Sequence, residues 1–156
     1  MTVRSEVGLL PRSSLWTRLF RGGVTLTTFE GAVLLQFLGH LPEHLREVVD
    51  AQLAACNLIQ RDPESLELRF YPMNGATPDW SHLPALPIES GEVKLLSLSI
   101  QPGTSRDTVR ADFWAVDRRF FMVEFGSNVA SYAGMGGMVV KQVTEVWRLN
   151  LSSEHA

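Results

Sequence analysis

The chain has 156 residues, of which 45% are apolar and 20% charged, with 14 basic and 17 acidic side chains and a formal net charge of −3. This composition excludes a disordered or collagen-like chain, and the length fits one domain that buries roughly 68–70% of its unfolded surface. No apolar run approaches the ~20 residues of a bilayer span. With Cys56 the only cysteine, an internal disulfide and a multi-cysteine metal site are both excluded.

Charge is unevenly spread. Residues 1–26 carry Arg4, Arg12, Arg18 and Arg21 against Glu6, whereas residues 27–92 carry a net charge of −7 and residues 93–156 a net of +1. A nucleic-acid binder would show a clustered basic face and a high isoelectric point. Here the isoelectric point is near 5.8 and the basic residues are dispersed, so no nucleic-acid partner is expected. The acidic middle suits steering of a basic partner, or a solvated helix face.

Residues 1–22 read as an N-terminal arm, and residues 23–156 as one α+β domain. The arm is Arg-rich, but Pro11 stops its apolar segment too early for a secretory signal, so a cytoplasmic protein is expected. A helical turn is expected over residues 14–20. Thr27 and Glu30 have the spacing of a capping box ahead of an apolar run. The helix that follows should reach Leu38 and stop at Gly39. Phe29, Val33, Leu34, Phe37 and Leu38 leave it almost no polar face, which predicts burial on most sides or a covering partner. Pro42 suits the first position of a second helix. Its stripe is Leu45, Val48, Val49, Leu53 and Cys56, and the like-charged Glu43 and Glu47 mark a solvated side.

After Asn57 the period becomes two. Leu66, Leu68 and Phe70 form one alternating set, and Leu96, Leu98 and Ile100 a second. Val109, Ala111, Phe113 and Ala115 form a third, and Phe121, Val123 and Phe125 a fourth. A last strand lies within 138–151, with Val143, Trp147 and Leu149. Such alternation marks half-buried antiparallel strands. The fold class is therefore α+β: two N-terminal helices packed on one face of a five- to six-stranded, mainly antiparallel sheet. Turns are expected at 62–65 and at Asp117 and Arg118, although Arg is a poor second residue for a two-residue hairpin. Residues 72–92 contain four prolines and no period, and read as an ordered lid or arm.

No catalytic set, metal site or cofactor site converges in the sequence. His40 and His44 have zinc-like spacing, but Pro42 interrupts the helix between them and no third ligand is near. There is no G-x-S-x-G around Ser127 or Ser131. Cys56 falls on an apolar helix stripe and reads as a buried thiol. The glycines at 134, 136 and 137 precede a strand, unlike a phosphate loop, which precedes a helix.

The outward phase of the strands carries the functional signal. Trp114, Phe120 and Met122 accompany Arg110, Asp112 and Glu124 there, which is the composition of a protein-binding patch. Centring the hairpin on Asp117 and Arg118 pairs Val116 with Arg119 and places Asp112 opposite Val123, diagonal to Glu124. Arg110 and Arg119 would neutralise the two acids. The 72–92 segment, through Trp80, would either fold over this face or contact a partner. The candidate partner-binding residues are Trp80, Arg110, Asp112, Trp114, Phe120 and Glu124.

The stretch Leu38, Gly39, Leu41, Pro42, Leu45, Arg46 and Asn57 resembles the opening of the SUKH-type immunity proteins of bacterial toxin systems. His40 alone separates Gly39 from Leu41 where the family has two residues, and Leu58 rather than Gly follows Asn57. The resemblance implies a small cytoplasmic protein that binds and neutralises a toxin and has no catalytic residues. Arg outnumbers Lys twelve to two, which suits a GC-rich bacterial genome. The expected function is thus a non-enzymatic protein-binding module, concretely a bacterial immunity protein that occludes a toxin's active site. The alternative is a small-molecule-binding or enzymatic α+β cone similar to nuclear-transport-factor folds, with Asp112, Glu124 and His82 pointing into an apolar pocket. A homodimer burying the first helix between chains is a further arrangement.

Overall fold

The computed structural model describes residues 26–64 and 66–147. The expected arm at 1–22 and Leu149 of the last strand lie outside the described residues. Among the described residues two α-helices, α1 (Thr28–His40) and α2 (Glu43–Ala55), precede the strands. These are β1 (Leu58–Arg61), β2 (Glu67–Tyr71), β3 (Met73–Asn74), β4 (Thr77–Pro78), β5 (Glu92–Pro102), β6 (Val109–Val116), β7 (Arg119–Phe125) and β8 (Met138–Glu145). Six strands form one antiparallel sheet in the order β1-β2-β7-β6-β5-β8, and β3 and β4 make a separate small hairpin. The fold is the expected α+β arrangement.

Helix α1 begins with the capping box read from the sequence. The Glu30 N–H donates to Thr27 Oγ1 at 3.1 Å, and the Thr27 N–H donates to Glu30 Oε1 at 2.8 Å. Glu30 is only 2% exposed, and a buried carboxylate needs a counter-charge. Arg61 at the end of β1 supplies it, donating from Nε at 2.7 Å and from Nη2. One ion pair therefore ties the start of α1 to an edge of the sheet. The helix runs two residues further than expected, through Gly39 to His40, and Pro42 is the N-cap of α2 rather than its first helical residue. His40 and His44 stand on separate helices, with His40 Nδ1 2.7 Å from the Gln36 carbonyl.

All ten residues from Phe29 to Leu38 are buried. Phe37 stacks on Phe113 of β6, with ring centroids 4.2 Å apart, and also touches Phe120 of β7, which in turn meets Phe70 of β2. Such ring pairs add roughly 0.5–1.5 kcal/mol each beyond their buried area. The helices thus cover the sheet face formed by Leu68, Phe70, Leu98, Ala111, Phe113, Phe120 and Val123.

Three bulges break the simple alternation, one of them on β8, where Ser99 pairs with Gln142 but Ile100 with Val140. On β5, Lys94 pairs with Trp114 but Leu96 with Phe113, so Leu95 and Leu96 are both buried. On β7, Phe120 pairs with Ala115 but Met122 with Trp114, leaving Phe121 as the extra residue. A bulge shifts the phase by one residue and re-aims the side chains beyond it. Phe120, expected on the outer face, is consequently 0% exposed in the core, while Phe121 packs edge-on against Tyr71 at 5.4 Å. The same shift places Asp112 directly opposite Glu124, correcting the diagonal register.

The 72–92 segment lies on the helix side rather than over the outer face. Leu86 and Ile88 enter the core. The buried side chain of Gln52, on α2, donates to the carbonyls of Pro84 (2.7 Å) and Arg118 (3.2 Å) and accepts the N–H of Phe120 (2.8 Å). The β6–β7 turn is the expected two-residue one, with both Asp117 (φ 49°) and Arg118 (φ 68°) left-handed. The loop clamps this turn: Asp117 Oδ1 accepts the Gly91 N–H at 2.9 Å, and the Leu86 N–H donates to the Arg118 carbonyl at 2.8 Å.

Candidate functional site

Alternation along each strand sends every second side chain away from the helices, and cross-strand register assembles these into rows. One row runs Thr144, Ser97, Asp112, Glu124, Glu67 across β8, β5, β6, β7 and β2. A second joins Lys94, Trp114, Met122 and Arg69. A third places Ser99 between Arg110 and Gln142. Four of the predicted residues, Arg110, Asp112, Trp114 and Glu124, therefore share one face.

Asp112 is the anchor of this face rather than its contact surface, being 2% exposed. Its carboxylate accepts from the Ser97 hydroxyl and from Arg110 Nε at 3.0 Å, and Lys94 Nζ stands at 3.6 Å. Two cations and a hydroxyl offset the desolvation of one buried charge. Arg110 is thereby oriented while its side chain stays 61% exposed. The Lys94 ammonium also lies 5.1 Å from the centre of the Trp114 ring. Arg119, expected to neutralise the acids, instead places its guanidinium 5.7 Å from the Trp80 ring.

Glu124 differs from its neighbours. It stands between Asp112 and Glu67, directly opposite both. Glu67 has Arg69 at 2.7 Å. Among the described residues Glu124 has no ion pair or side-chain hydrogen bond. Like charges directly opposite on adjacent strands destabilise a sheet, so this row is held at some energetic expense. Beside it Trp114 is half-buried, and its Nε1 is buried without an acceptor.

A shallow groove lies further along the same face, lined by Ser97, Ser99, Thr108, Arg110, Gln142 and Thr144. It exists because β5, the strand next to the β8 edge, presents two small serines outward between longer side chains on β6 and β8. Sequence reasoning read Ser97 and Ser99 only as the polar phase of a strand, and it did not single out Lys94, Gln142 or Thr144. Their significance depends on strand order, which periodicity does not encode.

The remaining candidates lie elsewhere. Trp80 packs against the core cluster beside Arg119, and Phe120 is inside. Asp79, Ser81 and His82 are close in sequence, but the Ser81 hydroxyl donates to Asp79, which lies 4.0 Å from His82 Nδ1. Hydrogen bonds from the Ser81 hydroxyl and N–H hold the Asp79 carboxyl below its ordinary range, which suits a local loop brace and not a relay from serine through histidine. Asp112 and Glu124 face away from the helices and His82 is exposed, so the inward arrangement of an enclosed cone is not formed by these three. Among the described residues no group of three or more His, Cys, Asp or Glu side chains has metal-holding geometry, and no helix is long and apolar enough to cross a membrane. Comparison with protein-family models, curated proteins and solved structures gives no match.

Proposed function

We propose that this chain is a non-enzymatic binding module of the bacterial cytoplasm that docks a protein partner on its outer sheet face. The most concrete form is an immunity protein that occludes the active site of a cognate toxin. The observation that carries the reading is Glu124, a carboxylate placed between two others with no cation of its own, beside the half-buried Trp114. A partner's basic side chain would relieve the repulsion, and Trp114 would supply the aromatic anchor typical of interface centres. Arg110, fixed by Asp112, offers a second charged contact. Trp80 and Phe120 drop out of the contact set. The resemblance around Leu38 to Asn57 points to a toxin as the partner.

A photo-crosslinking residue at Met122, between Trp114 and Glu124, would capture the partner in the native host. Calorimetry with that partner then tests the face. Trp114→Ala should weaken binding by at least ~2 kcal/mol, and Glu124→Gln should weaken it in a salt-dependent way. Unchanged affinity in both variants, with unchanged thermal unfolding, removes this face from the interface. Turnover of a metabolite by the purified protein would replace the reading with an enzymatic one.

A further inference from the structure

The groove between β6, β5 and β8 has a chemistry distinct from the acidic row beside it. Its lining combines Ser97, Ser99, Thr108, Gln142 and Thr144 with one charged side chain, Arg110, and no carboxylate. Among the described residues the side chains of Ser99, Thr108, Gln142 and Thr144 make no hydrogen bond within the protein, and Arg110 uses only Nε, on Asp112. Hydroxyls, an amide and a guanidinium are the donor set that recognises oxyanions, and Arg is the residue suited to planar, two-pronged contact with carboxylate or phosphate.

The arrangement is also braced from below. Asp112, itself nearly fully buried, holds the Arg110 Nε at 3.0 Å, and Lys94 and Ser97 share its charge. Holding one nitrogen of a guanidinium limits its side-chain freedom while the other nitrogens keep their donors. On the far side, the Gly126 N–H donates to the Arg110 carbonyl at 2.9 Å, and a Cβ at Gly126 would stand 3.7 Å from Arg110 Cζ, so the guanidinium packs beside bare backbone there.

We infer that this groove is an oxyanion site, in which Arg110 and the hydroxyls of Ser99 and Thr108 bind a carboxylate or a phosphate monoester. The site stands whatever protein docks on the face, because it is defined by its own donors.

The test is a titration of the full-length protein, followed by backbone amide NMR, with inorganic phosphate, with glutarate, and with chloride at matched ionic strength. Saturable shifts confined to residues 97–99, 108–110 and 142–144 with either oxyanion, and not with chloride, are expected. Tighter phosphate binding would assign the natural ligand to phosphorylated groups, and tighter glutarate binding to carboxylates. Arg110→Gln should lower the affinity about tenfold or more. Ser99→Leu, which fills the groove from its floor and leaves Arg110 and Asp112 in place, should abolish saturation. Shifts that rise linearly as with chloride, or that persist unchanged in both variants, overturn the inference.

Discussion

The side-chain carbonyl of Gln52 accepts the backbone N–H of Phe120 at 2.8 Å, joining the middle of α2 to the start of β7 across 68 positions of sequence. The same side chain donates to two loop carbonyls, so one wholly buried amide satisfies three backbone groups. Gln52→Ala removes the partner of the Phe120 N–H and of the Pro84 carbonyl, while the Arg118 carbonyl keeps the Leu86 N–H, and should cost roughly 2–4 kcal/mol of unfolding free energy by urea denaturation. Gln52→Glu is the sharper variant. It keeps the acceptor for Phe120 but turns an oxygen toward the carbonyls of Pro84 and Arg118, and it should be at least as destabilising at neutral pH.

Arg118 at φ 68° occupies a conformation that a Cβ disfavours by roughly 1–2 kcal/mol. Glycine removes that cost but gains entropy in the unfolded chain, so Arg118→Gly should stabilise by about 0.5–1 kcal/mol. Arg118→Val should move the melting temperature the other way. Equal melting temperatures for the two variants would contradict a strained turn.

Removing the charge at position 124 separates folding from recognition. Glu124→Gln relieves the repulsion from Asp112 and Glu67 and should raise stability by about 0.5 kcal/mol, while weakening the partner complex. A variant that loses stability would show that Glu124 already has a compensating contact.

Asp50 supplies a pH dependence of defined sign. Burial pushes its carboxyl up, and Oδ1 is buried without a hydrogen-bond donor. The native state therefore binds this proton more tightly than the unfolded chain. Stability from this group is greatest below the ordinary aspartate value of about 3.9 and declines as pH rises through the elevated native value. Asp50→Asn should melt close to wild type near about pH 3 and above it near about pH 7. A constant difference across that range would exclude titration of Asp50 as its cause.

Much of the architecture was legible because it rests on local signals. Thr27 and Glu30 announce the start of α1, and the strands from Leu66 to Phe125 follow their alternation. The bulges were not legible. Phe120 and Phe121 are equally apolar, so either fits the core phase, and only packing against Phe37 and Phe70 selects the first. The small β3–β4 hairpin hid behind prolines, although Gly75 and Ala76 form its two-residue turn, with Gly75 at φ 65°. For the site, Arg110, Trp114 and Glu124 could be placed on one face from parity alone. Trp80 could not be placed, because nothing local reveals on which side of a sheet a long loop lies. The serines of β5 gained meaning only once β8 was known to pair beside them.

Strand order has a consequence for how the chain is made. β2 borders β7, yet β7 follows it by roughly fifty residues. During synthesis β1 and β2 emerge as a lone hairpin whose open border waits while β5 and β6 are translated. Nascent domains in this condition are exposed to mispairing. The Arg61–Glu30 bridge, formed entirely by residues already emerged, can hold that hairpin against α1 until β7 arrives.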